Sequence, residues 1–206
     1  MDNQNLDRIS YALGLSMGNN FRGSGIKTLN IKDFADGVAA VFEGAQPKMS
    51  YDEAKAEIKN FFEAMEAEQR AAAAKMGEVN EAAGKKFLEE NGKRVEVKTT
   101  ASGLQYEVLS EGTGKQPVAS DSVTVHYTGK LIDGTVFDSS VERGAPATFG
   151  VTQVIPGWVE ALQMMKEGAK WRLFIPSNLA YGPNGAGNVI GPNSTLIFDV
   201  ELIKVN

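Results

Sequence analysis

The side chains best suited to chemistry in this chain lie in four short runs, residues 125–129, 134–140, 154–158 and 180–182. The runs read VHYTG, GTVFDSS, VIPGW and AYG, so they supply aromatic rings, aliphatic groups, an acid and a phenol. They offer neither a nucleophile paired with a base nor a cluster of metal ligands. This pattern predicts a dry pocket that holds a peptide segment rather than a site that breaks bonds.

The composition narrows the classes of chemistry further. The 206 residues include no Cys, which excludes disulfides, thiolate nucleophiles and cysteine-based zinc sites. His126 is the single histidine, so a multi-histidine metal site is excluded and a Ser-His-Asp triad would have to use it. A net charge of −5 is unlike a generic nucleic-acid binder. We therefore expect no metal, no cofactor and no nucleic-acid partner.

The beginning of the chain bears on the cellular compartment. The first eight residues, MDNQNLDR, have no basic start and no apolar run after them, unlike a signal peptide. No stretch approaches the roughly 18 apolar residues of a membrane span. If Met1 is the native start, the sequence predicts a cytoplasmic protein that does not associate with membranes.

Two kinds of sequence meet near Asn91. Ala, Glu, Lys and Met dominate before it, whereas β-branched and aromatic residues alternate with polar ones after it. This change predicts an α+β protein in three parts. Residues 1–49 form a helical module, residues 50–92 a long connecting helix, and residues 93–206 a β-rich domain.

Two short helices are predicted in the first part. The first carries an apolar stripe at spacings of three and four, formed by Leu6, Ile9, Leu13, Met17 and Phe21. Gly14 and Gly18 lie four apart within it, which indicates either close contact between helices of a dimer or a tolerated weak helix. The second helix begins after the capping residue Asn30 and ends at Gly44.

The third helix is the long one. Ser50 and Glu53 form a capping box at its start, and Asn91-Gly92 is a stop signal. Its length of roughly 60 Å exceeds the diameter of a small domain. We therefore expect a homodimer joined through the N-terminal helices, with the long helix as an arm. The alternative is a helix that frays or folds back near Gly77 or Gly84.

The last part is predicted to be an antiparallel sheet with one short helix. Alternation over residues 122–131 places Val123, Val125 and Tyr127 on one face and His126 on the other. Asp133-Gly134 predicts a hairpin, and the short helix is expected over residues 158–166.

Residues 99–206 resemble the FKBP family of peptidyl-prolyl cis–trans isomerases, on the four runs above and on residues 196–202. The helical part resembles, on residues 10–14, the dimerisation module of macrophage-infectivity-potentiator-like bacterial members. The whole chain is similar to the dimeric 22 kDa members of enteric bacteria. The resemblance implies a curved antiparallel sheet wrapped over a short helix, with the pocket between them.

The resemblance also implies roles for particular residues. Trp158 would be the pocket floor, Asp138 would point into the pocket beside Arg143, and Tyr181 would donate a hydrogen bond to the substrate carbonyl. The implied catalytic residues are Asp138, Tyr181, Trp158 and Phe198, and the implied substrate-binding residues are Tyr127, Phe137, Arg143, Phe149, Val154, Ile155 and Ile190. Ala147 and the loop 183–188 depart from the family pattern at positions that bear on macrolide affinity.

The implied activity is non-covalent isomerisation of X-Pro bonds in unfolded or partly folded protein clients, and macrolides are the implied inhibitors. A second interpretation from another class is a dimeric chaperone or adaptor that binds such segments with little turnover. Turnover of a short X-Pro peptide distinguishes the two.

Overall fold

A computed structural model describes residues 7–206. Leu6, the first member of the predicted apolar stripe, lies outside the described residues. The chain divides into two compact units, the first ending at Glu63 and the second comprising Ala64–Asn206.

The first unit is helical. Helix α1 spans Arg8–Gly23 and helix α2 spans Ile31–Glu43. Asp7 caps α1 by accepting hydrogen bonds from the backbone of Ile9 and Ser10, and Asn30 caps α2 in the same way. Gly44 ends α2 in a left-handed conformation with φ of 66°, as predicted for a glycine stop.

Helix α3 spans Tyr51–Asn91, and its 41 residues are continuous. The predicted capping box is present, because the backbone N–H of Ser50 donates to Glu53 over 2.8 Å and that of Glu53 donates to the Ser50 hydroxyl over 3.2 Å. The alternative of a break at Gly77 or Gly84 is wrong, since both glycines lie inside the helix and are buried.

The second unit contains an antiparallel sheet, as predicted. Within the described chain its strands are β1 Val97–Thr99, β2 Gln105–Ser110, β3 Ser122–Leu131, β4 Val136–Ser139, β5 Ala147–Gly150, β6 Lys170–Ile175 and β7 Leu196–Val205. Their order across the sheet is β1-β2-β6-β7-β3-β4, and β5 also pairs with β3. Strand β7, the last in the chain, therefore lies in the middle, between β6 and β3.

Strand β3 has two different partners on its outer edge. Its first half, from Ser122 to Val125, pairs with β5, and its second half, from Thr128 to Lys130, pairs with β4. Tyr127 lies where one partner ends and the other begins. The fork leaves a gap in the strand pairing beside Tyr127. Buried and less buried residues alternate along β3, as predicted.

Helix α4, Pro156–Met164, packs on one face of the sheet. It begins two residues before the predicted start because Pro156 occupies the first turn, where a missing N–H costs nothing. It ends before the predicted 166 because Met165 is extended, with ψ of 157°. Its buried Ala161 and Leu162 join the core formed by the inward residues of β3, β6 and β7.

The second half of α3 is part of this unit and packs against the face of β6 that points away from the core. The rings of Phe87 and Phe174 lie 5.9 Å apart, and Phe174 alternates with the core residues Leu173 and Ile175. The Asn91 side chain donates to the Gln105 side chain over 2.9 Å. The end of the long helix thus belongs to the packed body of the second unit.

Candidate active site

A cavity of about 640 Å³ opens between the sheet and helix α4. Its walls come from separate elements that the fork in β3 and the start of α4 bring together. The side chains that line it are mostly aromatic or aliphatic, namely Tyr127, Phe137, Asp138, Phe149, Gln153, Val154, Ile155, Trp158, Tyr181, Ala186, Gly187, Ile190 and Phe198. The volume and the lining are those of a small-molecule or short-segment site.

Edge-to-face aromatic packing fixes the floor of this cavity. The Trp158 ring lies 5.3 Å from the rings of both Tyr127 and Phe198, at interplanar angles of 87° and 83°. Phe149 meets Trp158 at 90°, and Phe137 meets Phe198 at 82°. Such T-shaped pairs favour one mutual orientation, so each ring of the floor supports the orientation of the next.

Trp158 reaches the floor because α4 approaches the sheet closely. Gly157 precedes it, and a Cβ atom there would lie only 2.6 Å from a methyl carbon of Ile175. A similar restriction applies at Gly129, where a Cβ atom would lie 2.6 Å from the ring of Phe137 and 2.7 Å from that of Phe198. Glycine at these two positions leaves the space that the aromatic floor occupies.

One charged group, Asp138, lines the cavity and is held by two neighbours. The Tyr127 hydroxyl donates to its carboxylate over 2.5 Å. Arg143 donates to the other carboxylate oxygen and also, over 3.0 Å, to the Tyr127 hydroxyl. The three side chains close a ring of hydrogen bonds at the rim, so the position of Tyr127 and the charge of Asp138 depend on each other.

These contacts shift two pKa values in opposite directions. Burial alone would raise the pKa of Asp138, but the hydrogen bonds from Tyr127 and Arg143 and the charge of Arg143 outweigh it and lower that pKa. Burial, with the hydrogen bond to Asp138, raises the pKa of Tyr127. At neutral pH the pair is therefore a carboxylate and a neutral phenol, with no proton poised for transfer.

The opposite wall comes from the loop between β6 and β7. Ala186 and Ile190 exchange two backbone hydrogen bonds, of 2.8 and 3.1 Å, which close the tip of the loop. Tyr181, at its start, is 40% exposed, and within residues 7–206 its hydroxyl has no protein hydrogen-bond partner. That hydroxyl is free to donate to a ligand.

The structure brings together all but one of the side chains that the resemblance implied. Arg143 is the exception, since it does not line the cavity and acts on it through Asp138 and Tyr127. Sequence reasoning missed Gln153, Ala186 and Gly187, which also line it. No periodic or motif signal distinguishes those three from ordinary loop residues.

His126 lies apart from the cavity, as the alternation of β3 predicts. Its Nδ1 atom is 3.0 Å from the hydroxyl of Ser140, which also accepts a hydrogen bond from the backbone of Tyr127. Within residues 7–206, no group of three or more His, Cys, Asp or Glu side chains is placed to hold a metal ion. The described site consists of apolar and aromatic surface with a few hydrogen-bonding groups.

An aromatic pocket between a forked antiparallel sheet and one short helix is typical of a protein that binds a small molecule or a short apolar segment. Residues 113–203 match the family described as FKBP-type peptidyl-prolyl cis-trans isomerase. Residues 6–108 match the family described as the domain amino terminal to FKBP-type peptidyl-prolyl isomerase. The chain belongs to the FKBP-type peptidyl-prolyl cis-trans isomerases.

Relatives extend this similarity over nearly the whole chain. The 22 kDa FKBP-type peptidyl-prolyl cis-trans isomerase of Escherichia coli is 47% identical over 196 residues, which cover 95% of this chain and 93% of that protein. The Outer membrane protein MIP of Legionella longbeachae is 46% identical over 199 residues, covering 97% and 85%. The crystal structure of FkpA from Escherichia coli matches with a TM-score of 0.74 at 41% identity and covers 98% of each chain.

Proposed function

We propose that the cavity floored by Trp158 is the catalytic site of this isomerase and that it acts on X-Pro bonds in unfolded or partly folded protein chains. The observation that carries the proposal is the aromatic floor, which offers a proline ring an apolar surface on several sides. No step in this proposal needs a covalent intermediate.

The physical basis is a difference in solvation. Rotation about an X-Pro bond breaks amide resonance, with a barrier of about 18–20 kcal/mol. The planar amide has a large dipole, and the twisted transition state has lost much of that charge separation. An apolar pocket therefore destabilises the planar form more than the twisted form, and this differential is what accelerates the reaction.

Two polar groups complete the proposed site. The free hydroxyl of Tyr181 donates a hydrogen bond to the carbonyl of the bound segment. Asp138 keeps the ring of Tyr127 in place through their shared hydrogen bond, and Arg143 neutralises the charge of Asp138. Tight packing against Trp158 and Phe198 favours the twisted shape of the segment.

Turnover of a short X-Pro peptide by the full chain tests this proposal. We expect Trp158→Ala and Asp138→Ala to lower kcat/KM, while the matched variant Asp133→Ala, in the exposed β3–β4 hairpin, leaves it unchanged. A protein that binds such peptides without turnover is the second interpretation, and a folded wild-type chain with no turnover would favour it. Turnover equal to that of the wild-type chain in all three variants would contradict the assignment of this cavity as the catalytic site.

We also propose that two copies of the chain associate through the first unit. Within the described part of the chain, α1 and α2 contain no buried residue. An open groove of about 790 Å³ lies between them and is lined by Tyr11, Leu15, Met17, Phe21, Leu29 and Phe34. Exposed apolar surface of this extent marks an interaction site, and a second copy would bury it symmetrically. Sedimentation at micromolar concentration tests this, and a monomer would contradict it.

The compartment stays a prediction, and we propose the cytoplasm. Among residues 7–206 no helix is long and apolar enough to cross a membrane. Fractionation of cells that express the native gene, with periplasmic and membrane marker proteins as controls, tests the proposal. Recovery with the periplasmic or membrane markers would contradict it.

A further inference from the structure

One face of the second half of α3 is built for close contact with the loop that ends at β7. Gly77, Asn80 and Gly84 follow each other at spacings of three and four, which places them on one side of the helix. The turn 191–195 lies against this side, and it immediately follows Ile190, a wall of the catalytic cavity. The helix and the pocket wall are therefore separated by one short turn.

The glycines in this face permit the close approach. A Cβ atom at Gly84 would lie 2.3 Å from the hydroxyl oxygen of Thr195. A Cβ atom at Gly77 would lie 3.2 Å from the side-chain amide nitrogen of Asn193. Each glycine inside a helix lowers its stability by about 1 kcal/mol relative to alanine. At these two positions glycine allows the turn to pack closely against the helix.

Asn80 ties the two surfaces together. Its amide nitrogen donates to the carbonyl oxygen of Pro192 over 2.8 Å and lies 3.5 Å from the hydroxyl of Ser194. The same hydroxyl donates to the carbonyl oxygen of Gly191 over 2.8 Å. One side chain of the helix thus reaches both sides of the turn 191–194.

The turn 191–194 also holds the loop 182–190, which carries the wall residue Ile190. The backbone N–H of Asn193 donates to the carbonyl oxygen of Gly182 over 2.8 Å, which closes the base of the loop. Asn193 holds a left-handed conformation with φ of 54°. Ile190 is bonded to Gly191 and paired with Ala186, so a shift of the turn is passed to both of these cavity-lining residues.

We infer that the long helix is part of the scaffold of the active site, and that Asn80 is a positioning residue that sets the place of Ile190 by holding the turn 191–194. This inference rests on the isomerase function proposed above for the same cavity. Asn80 does not line the cavity, so its effect on substrate passes through the turn. Residues outside the sheet and α4 thereby determine how well a prolyl segment fits.

The test compares two asparagines of the same helix in the full-length chain. Asn80→Ala removes the hydrogen bond to the turn, and Asn91→Ala removes a hydrogen bond to Gln105 that lies far along the helix from the loop. We expect Asn80→Ala to raise KM for a short X-Pro peptide about fivefold with kcat changed less than about twofold, since the variant displaces Ile190 and leaves the aromatic floor, which distinguishes the planar from the twisted form, in place. Asn91→Ala should lower the Tm and leave KM unchanged.

A second readout follows the pocket wall directly. In the NMR spectrum of the full chain, the methyl resonances of Ile190 should shift in Asn80→Ala and stay in place in Asn91→Ala. Unchanged Ile190 resonances in Asn80→Ala, or equal rises in KM in both variants, would overturn the inference. Absence of turnover in the wild-type chain would instead overturn the proposed function, and the methyl comparison would still decide whether Asn80 holds the turn.

Discussion

The two units of this chain treat their apolar side chains in opposite ways. In the first unit Ile9, Leu13 and Phe42 are 70%, 61% and 87% exposed, whereas in the second Leu104 and Leu162 are 0% and 1% exposed. The second unit buries its own core, so we expect it to fold without a partner. The first unit leaves its apolar faces open, so its stability is expected to depend on association. The difference teaches that a well-formed helix with good caps is not by itself a folded domain.

The largest expected effect comes from equal truncations in the two units. Leu162→Ala removes a fully buried side chain and should lower the free energy of unfolding of the second unit by about 2–5 kcal/mol. Leu13→Ala removes an exposed side chain and should leave that unfolding free energy unchanged, while it weakens self-association. Urea titration and sedimentation measure the two quantities.

A Leu13→Ala variant that destabilises the second unit as much as Leu162→Ala would break the comparison between the units. A variant at an exposed polar position of α1, Ser16→Ala, controls for effects of the substitution itself. It should change neither the unfolding free energy nor the association.

A smaller effect is expected at the rim of the pocket. Tyr181→Phe keeps the ring and removes the hydroxyl, so kcat/KM for an X-Pro peptide should fall about two- to tenfold, the equivalent of one hydrogen bond. The matched variant Tyr51→Phe removes a hydroxyl at the exposed start of α3 and should leave kcat/KM unchanged. Equal kcat/KM in wild type and Tyr181→Phe would remove Tyr181 from the mechanism.

Cutting the chain between its units should change peptide turnover less than the loss of the Tyr181 hydroxyl does. A truncated chain that begins at Ala64 retains the whole second unit, including Asn80, and should turn over a short peptide within about twofold of the full chain per site. It should sediment as a monomer and accelerate proline-limited refolding of a protein less well, because two linked sites rebind a client before it diffuses away. Equal acceleration of refolding per site would contradict the role of the first unit.

The smallest expected effect is that of mild acid on the pocket. The folded-state pKa of Asp138 is lowered, so the stability that its ionised form contributes is present above its unfolded value of about 3.9 and is lost only as the pH falls through the lower folded value. Peptide KM should therefore be constant from about pH 8 to about pH 5. A change in the peptide KM between about pH 8 and about pH 5 that is absent in Asp138→Asn would contradict the ring of hydrogen bonds formed by Asp138, Tyr127 and Arg143.

Much of the fold was predictable because its signals are local. The caps at Asn30 and Ser50, the stop at Gly44 and the hairpin at Asp133-Gly134 each depend on residues within a few positions of one another, and the structure contains all four. The alternation of β3 also predicted which face Tyr127 shares with the core. The side chains of the pocket were predicted from the family resemblance. Local signals could not group them, because the four runs that supply them are separated along the chain.

The contact between α3 and the turn 191–195 was not predictable from the same signals. The sequence indicated Gly77 and Gly84 as places where the helix could fray or fold back, yet both glycines and Asn91 are buried in a continuous helix. Glycine and asparagine in a helix are typical of weak points, and here they are points of close approach. Gln153 was missed for a related reason, because a polar residue in a turn carries no sign of the cavity that it faces.

The central place of β7 has a consequence for the order in which the protein can be completed during synthesis. Strand β7 is made after the other six strands of the described sheet, yet β3 and β6 both pair with it. The helices of the first unit can form while the rest of the chain is still being produced, since domains generally fold as units from the N-terminus. The sheet and its pocket can close only after β7 has left the ribosome, so the helices of the first unit can form before the pocket does.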